Sequence, residues 1–318
     1  MARVSGEPLL FKGSDFAQTD VAVADPRART GLVLPKLPGH GVVLGVDVGW
    51  SETRKTSAAC LLEWDETSIQ LKLHCFCLQD ARQELKVFLG SKTCLAAAVD
   101  GPLAPGFMTI GVYRKAERAL TRGLQAIGRP GPSNSPNGKK LNAAANQISH
   151  VLVEFDCVEK AGHRFRIHES AIVEAFPTSF LGVMLEKDET GVETRRRRFN
   201  TYYQTLTAGE EDGRLGELVR LLLPGRRIAK IVWPANDHRK GSRLTDVRNH
   251  DERSAVVCAV TALLVAARRY IAVGEKKTGY LILPPIAEGG QPGMRDWAKN
   301  IIQRNTELRS ELTGGRRA

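Results

Sequence analysis

The sequence predicts an α/β protein, in which several buried strands form one sheet and helices pack against it. Three observations lead to this prediction. Short apolar runs typical of buried strands are interspersed with segments whose apolar residues recur at helical spacing. Two of the strand-like runs end in an aspartate. Hydrophobic residues make up 42% of the 318 residues, which is enough for a sizeable core.

Five runs are apolar and short enough to be strands of this sheet: residues 42–48, 57–64, 69–78, 94–100 and 171–176. The first three follow one another through short links, which predicts an antiparallel meander. Pro177 stops the fifth run, because proline cannot donate a backbone hydrogen bond within a strand. A further short strand is expected at residues 280–283.

Helices are predicted where apolar residues recur every three or four positions: residues 80–89, 112–127, 141–158, 216–223, about 251–272 and 294–312. The second and third are separated by residues 129–140, whose Pro, Gly, Ser and Asn content predicts a loop. Residues 1–40 are polar with scattered Pro and Gly, which predicts an irregular N-terminal extension. Residues 187–248 are charged and weakly patterned.

Neither a membrane span nor a secretory signal is predicted. The longest apolar run, Ala255 to Ala267, is too short to cross a bilayer, and the N-terminus lacks an apolar stretch. The six cysteines have no metal-ligand spacing and are expected to be small buried hydrophobic residues. We therefore expect a cytoplasmic protein without a membrane partner.

The formal net charge is +11 and the isoelectric point is near 9.5, which favours a polyanionic partner, DNA or RNA first. The candidate nucleic-acid contacts are basic residues of one helix and of the loop after it: Arg114, Arg118, Arg122, Lys139 and Lys140. The three arginines recur at four-residue steps and would form a stripe on one helix face. A run of four arginines at 195–198 is a further basic surface. The alternative is that these charges only solubilise the protein.

Four acidic residues are candidates for one catalytic and metal-binding site: Asp47, Asp100, Glu174 and Asp251. The first three lie in or at the end of strand-like runs, where a carboxylate is costly unless it is paired or holds a metal. Mg²⁺ or Mn²⁺ prefers such oxygen ligands, and two ions can activate water and stabilise the leaving oxygen at a phosphodiester. Asp47 and Asp100 could instead shape turns, and Asp251 could simply begin a helix, where the dipole favours it.

Four motifs together resemble a known family: Gly-Val-Asp47-Val-Gly-Trp50, Val-Asp100-Gly-Pro-Leu103, Val-Glu174-Ala-Phe-Pro177 and the run from His250 to Ala262. They look like the predicted ribonuclease H-like nucleases of domain of unknown function 429, over about residues 41–285. The resemblance implies a ribonuclease H-like fold, with a five-stranded mixed sheet flanked by helices. It also implies that Asp47 lies on the first strand and Asp100 on the fourth, and that Glu174 and Asp251 complete the acidic cluster.

The chain is predicted to have three parts: an N-terminal extension (1–40), a ribonuclease H-like domain (41–285), which is the part that the resemblance covers, and a C-terminal helical tail (286–318). The domain would carry a helical insertion at about 105–160 and a charged insertion at about 187–248. One residue departs from the family, whose helix motif has a second aspartate where this chain has Ser254. A neutral hydroxyl is a weaker ligand, and Glu252 points about 100° away round the helix.

The leading interpretation is a metal-dependent nuclease using Mg²⁺ or Mn²⁺. A phosphotransferase of the actin and sugar-kinase type shares the implied core, and Asp47-Val48-Gly49 would be its first phosphate loop. It is less favoured, because the chain has no second such loop and no Gly-rich adenosine motif. A non-catalytic nucleic-acid-binding module is the other alternative, since Ser254 removes one acid from the cluster.

Overall fold

The computed structural model describes residues 21–24, 37–103, 114–121, 135–162, 165–166, 169–190, 195–234, 237 and 239–314. The predicted α/β class is confirmed: a mixed sheet is flanked by helices. None of the helices in these ranges has a stretch long and apolar enough to cross a membrane.

The sheet has nine strands: β1 (Val21–Ala24), β2 (Gly41–Asp47), β3 (Ser57–Trp64), β4 (Ser68–Phe76), β5 (Ala97–Asp100), β6 (Ile172–Ala175), β7 (Arg227–Val232), β8 (Tyr270–Glu275) and β9 (Gly279–Leu283). Their order is β1-β8-β9-β6-β5-β2-β3-β4-β7. The predicted antiparallel meander is present as β2, β3 and β4. On the other side of β2, the strands β5, β6 and β9 continue the sheet in parallel.

Eight α-helices are described: α1 (Ala81–Leu89), α2 (Lys115–Thr121), α3 (Pro136–Glu154), α4 (Pro177–Gly182), α5 (Arg195–Thr207), α6 (Gly213–Leu222), α7 (His250–Ala266) and α8 (Asp296–Gly314). Residues 136–140, predicted as the end of a loop, form the first turn of α3. Its start is stabilised by the side chain of Ser135, which accepts a 3.0 Å hydrogen bond from the amide of Gly138.

Helix α7 lies at the centre of the molecule and packs against β2, β3 and β5. Every side chain from Glu252 to Val265 is buried. The helix can approach this closely because residue 45 of β2 is glycine. A Cβ atom at Gly45 would lie 2.1 Å from the amide nitrogen of Ala259 and 2.2 Å from the carbonyl oxygen of Ala255. The backbones of helix and strand are therefore in direct contact.

We expect Gly45→Ala to destabilise the protein by about 1–3 kcal/mol, the usual cost of overpacking a core. The added methyl group would push α7 away from β2, because the atoms it meets belong to the backbone. Gly39→Ala is the matched control, since a Cβ there meets only the Glu66 side chain, at 3.8 Å. Urea denaturation of both variants measures the difference. Equal midpoints would contradict this account of the helix contact.

Two predictions, about the number of strands and about the long helix, were wrong. The sheet has nine strands rather than five: β1 comes from the N-terminal extension, β7 from the charged segment, β8 from the predicted end of the long helix, and β9 is the further strand expected at residues 280–283. The helix predicted to continue to about residue 272 ends at Ala266, and β8 begins at Tyr270. The chain reverses at Arg268, whose φ of 54° lies in the left-handed region.

The six cysteines are free thiols; five are buried and Cys75 is half-buried. Burial raises the pKa of Cys94 to about 12 and that of Cys157 to about 11, so both are neutral thiols at physiological pH. The cysteines are hydrophobic residues of the interior, as predicted.

Candidate active site

The site begins with two aspartates on neighbouring strands. β2 and β5 run parallel, and their register places Asp47 directly beside Asp100. Residues opposite each other in a parallel pair share a face of the sheet, so both carboxyl groups leave the strand ends on the same side. The two side chains form a hydrogen bond with each other. Apolar residues along both strands hold the pair at the edge of the core.

Helix α7 adds a third carboxyl group and a hydroxyl to this pair. The side chain of Asn249 caps the helix by accepting a 2.8 Å hydrogen bond from the amide of Asp251. Asp251 lies close enough to raise the pKa of Asp47, and the hydroxyl of Ser254 forms a hydrogen bond with the Asp47 side chain. Because α7 rests on Gly45, two residues before Asp47, its first turn is placed over the aspartate pair.

Burial raises the pKa of Asp47 well above its ordinary value, and the nearby carboxyl groups of Asp100 and Asp251 raise it further. The bond from Ser254 opposes the rise but does not cancel it. Only 7% of the Asp47 surface is exposed to solvent. The cluster therefore favours a proton on Asp47, and a bound cation would displace that proton.

A cavity of about 580 Å³ opens over the cluster. Its walls include Asp47, Asp100 and Asp251, together with Trp50 and Arg54 of the loop that follows β2. The first turn of α3 forms another side of the cavity through Asn137 and Gly138. A volume of this size is typical of pockets for small ligands or for part of a polymer.

Glu174 lines the same cavity but does not join the aspartates. In the register of β5 and β6, Ala175 rather than Glu174 lies beside Asp100, and successive side chains alternate between the two faces. Its carboxylate accepts two hydrogen bonds from the guanidinium of Arg114, at 2.5 and 2.6 Å, and a third from the amide of Leu103 at 3.0 Å. The cluster therefore consists of three of the four predicted acids.

Arg114 was predicted to contact nucleic acid from an exposed helix stripe, but its side chain is buried at the wall of the cavity. Its side chain is 2% exposed and lies between Glu117 and Glu174. Burial alone would lower the pKa of Arg114, but the two carboxylates raise it above its ordinary value. Burial raises the pKa of Glu174 and Arg114 opposes that rise; because Glu174 accepts three hydrogen bonds, we take it as ionised.

The other predicted nucleic-acid contacts differ in position. Arg118 is half-buried, and Arg122 lies outside the described residues. Lys139 and Lys140 are exposed on the first turn of α3, beside the cavity. The arginine run at 195–198 begins α5, and its last member, Arg198, is 5% exposed. Of the predicted basic residues, Arg114 lines the cavity, and Lys139 and Lys140 directly follow two of its lining residues, Asn137 and Gly138.

Glu252 does not take the place of the missing helix aspartate. Its carboxylate, 2% exposed, accepts hydrogen bonds of 2.9 and 2.7 Å from both terminal nitrogens of Arg239. Trp50 and Arg54 were not predicted as site residues. The available signal was their place in the polar loop three to seven residues after Asp47.

Among the described residues, no three His, Cys, Asp or Glu side chains stand as a preformed metal-binding group. The bond between Asp47 and Asp100 occupies oxygens that a cation would need. The donor set still fits a hard cation, because it offers three carboxyl groups and one hydroxyl with no nitrogen or sulfur.

The chain matches no protein-family model, no curated protein and no solved structure. The resemblance to domain of unknown function 429 therefore stays a prediction from the motifs.

Proposed function

We propose that the protein is a metal-dependent nuclease with a ribonuclease H-like core, which hydrolyses phosphodiester bonds of DNA or RNA. The observation that carries the proposal is the buried pair of Asp47 and Asp100 on adjacent strand ends, with Asp251 close by. Three carboxyl groups that repel one another are expensive to keep unless a cation or a bound proton compensates them.

The sheet order supports the proposed core. Its central five strands are β4-β3-β2-β5-β6, a meander on one side of β2 and two parallel strands on the other. The resemblance to ribonuclease H-like proteins implies a five-stranded mixed sheet whose first strand carries the first acid. In this chain the central strand is β2, which ends in Asp47.

Asp47, Asp100 and Asp251 would hold Mg²⁺ or Mn²⁺. The ion, when bound, lowers the pKa of a coordinated water and stabilises the leaving oxygen. Ser254 orients the Asp47 carboxyl group through its hydrogen bond. Lys139 and Lys140, exposed at the start of α3, neutralise phosphates that flank the cleaved bond.

Metal-dependent cleavage of labelled single- and double-stranded DNA, RNA and hybrid tests the proposal. We expect cleavage with Mg²⁺ or Mn²⁺ and none in a chelator. Ser254→Asp should raise the rate, because it adds a carboxylate one turn from Asp251 on the same helix face. Glu66→Gln, which changes an exposed acid distant from the cluster, should leave the rate unchanged.

A non-catalytic nucleic-acid-binding module is the second candidate, and one observation favours it. Residue 254 is a serine and Glu174 is paired with Arg114, so the cluster has three carboxyl groups to hold a metal ion. Binding of nucleic acid without cleavage by the wild type or by Ser254→Asp, with either metal, would decide for the module and against the nuclease.

A further inference from the structure

Trp50 is a large apolar side chain held in solvent at the edge of the candidate active site. Its side chain is 50% exposed, and the other exposed large hydrophobic residue in the described part of the chain is Val87. Trp50 follows Asp47 by three residues and lines the same cavity. Three residues span at most about 11 Å, so the ring lies near the carboxyl cluster.

The backbone that carries Trp50 is anchored on both sides. Before it, the amide of Gly49 donates a 3.0 Å hydrogen bond to the hydroxyl of Ser57. A Cβ atom at Gly49 would lie 2.2 Å from the Thr56 hydroxyl, so the two loop ends are in close contact. After it, the carbonyl of Ser51 accepts a 3.1 Å hydrogen bond from the amide of Leu78. The backbone on both sides of Trp50 is therefore held in place, and the indole projects from it into solvent.

The other three tryptophans pack against the interior of the protein. Trp64 and Trp233 are buried, and the indole nitrogens of Trp64 and Trp297 donate to the carbonyls of Pro38 and Leu185 at 3.0 and 2.8 Å. Trp50 makes no hydrogen bond or ring contact with any described residue. Leaving such a side chain in water forgoes about 2 kcal/mol or more of burial. A ligand that covers the ring would recover that energy.

Arg54 adds a cation to the same loop. Its side chain is exposed, lines the cavity and forms no ion pair with any described residue. A flat apolar ring beside a free cation fits a nucleotide, whose base stacks on aromatic rings and whose phosphate attracts arginine. A base inside a duplex is already stacked and paired, so its face is not available to the ring.

We propose that Trp50 stacks on an unpaired base next to the phosphodiester held at the carboxyl cluster, and that Arg54 contacts a neighbouring phosphate. The substrate class is then single-stranded nucleic acid or an unpaired segment of a duplex. This inference rests on the proposed function, because it assigns the substrate of the same site.

Binding is measured by fluorescence anisotropy of a labelled 12-nucleotide strand of mixed sequence, and of the same strand in a duplex. The proteins are Asp47→Asn, which keeps the substrate intact, and this variant combined with Trp50→Ala, Trp50→Phe or Val87→Ala. We expect Trp50→Ala to weaken single-strand binding about 5- to 150-fold, the range for loss of one base–aromatic stack. Trp50→Phe should retain most of the affinity, and Val87→Ala all of it.

The fluorescence of the Trp50 indole also reports strand binding directly. Addition of the unlabelled strand should quench tryptophan emission in the Asp47→Asn protein and not in its Trp50→Phe derivative. The proposal is overturned if Trp50→Ala binds the single strand as tightly as the parent, or if the duplex binds better. The first result would exclude Trp50 from the nucleic-acid contact, and the second would make paired nucleic acid the preferred ligand.

The two proposals fail in different ways. If Trp50→Ala cleaves single strands and duplexes as fast as the wild type, the stacking role of Trp50 is contradicted and the nuclease proposal stands. Single-strand binding that depends on Trp50, with no cleavage by the wild type in any metal, would remove the nuclease and keep the stacking role.

Discussion

Asp47→Asn is expected to abolish cleavage, lowering the rate by roughly 1,000-fold or more, while the fold stays intact. The amide keeps the shape of the side chain but removes the charge that a hard cation requires, and a metal ion contributes several kcal/mol to such a transition state. Initial rates with Mg²⁺ and with Mn²⁺ measure the loss, and circular dichroism checks the fold. Substantial cleavage by a folded Asp47→Asn protein would contradict the assignment of Asp47.

Asp47→Asn is also expected to change how the stability of the protein depends on pH. The pKa of Asp47 is raised in the folded protein, so the folded state binds more protons and its stability falls as pH rises above about 4, the ordinary value for aspartate. Without metal, Asp47→Asn should therefore melt at a higher temperature than the wild type near pH 7, with a smaller difference near pH 4. A variant less stable than the wild type at pH 7 would contradict the burial argument.

Asp65 provides a control, because its pKa is shifted in the opposite direction from that of Asp47. Its exposed carboxylate accepts hydrogen bonds from the amides and hydroxyls of Thr67 and Ser68, which lower its pKa to about 2. A lowered pKa contributes stability above the ordinary pKa of aspartate, and that stability is lost as pH falls toward about 2. Asp65→Asn should thus destabilise the protein at pH 7, where Asp47→Asn stabilises it.

Arg114→Met is expected to destabilise the protein by about 3–5 kcal/mol, the usual cost of breaking a buried ion pair from one side. The change leaves Glu117 and Glu174 buried without their shared cation. Adding Glu174→Gln should restore part of the lost stability, because it removes one of the two uncompensated charges. Urea denaturation measures all three proteins.

Lys139→Met is the matched control for this experiment, because Lys139 is exposed at the start of α3. It should change stability by less than about 0.5 kcal/mol, as surface substitutions usually do. If Arg114→Met cost no more than Lys139→Met, the buried contacts of Arg114 would not be the main support of this region.

The central strands and the aspartate pair could be predicted from the sequence because both depend on local patterns. An apolar run that ends in Asp47 or Asp100 needs only strand formation to deliver the carboxyl group. The outer strands gave weaker signals. Three of the six positions of β7 are exposed and two are half-buried, and β8 directly follows the apolar helix α7, whose hydrophobic pattern continues into it.

The role of Arg114 could not be predicted for a different reason. Four-residue spacing shows which residues share a helix face, but not what that face packs against. Helix α2 lies between α8 and β8, which are more than 140 residues further along the chain. Glu174 likewise has its partner 60 positions earlier. Pairings over such distances depend on topology, which residue spacing does not encode.

The dependence of the carboxyl cluster on α7 also sets when the cluster can exist. The ribosome adds about 5–20 residues per second, so the roughly 150 residues between Asp100 and Asp251 take about 8–30 s to synthesise. Throughout that interval the nascent chain contains the residues of β2 and β5 but not those of α7, the helix that contacts Gly45. The carboxyl cluster is therefore incomplete on the nascent chain until most of that chain has been made.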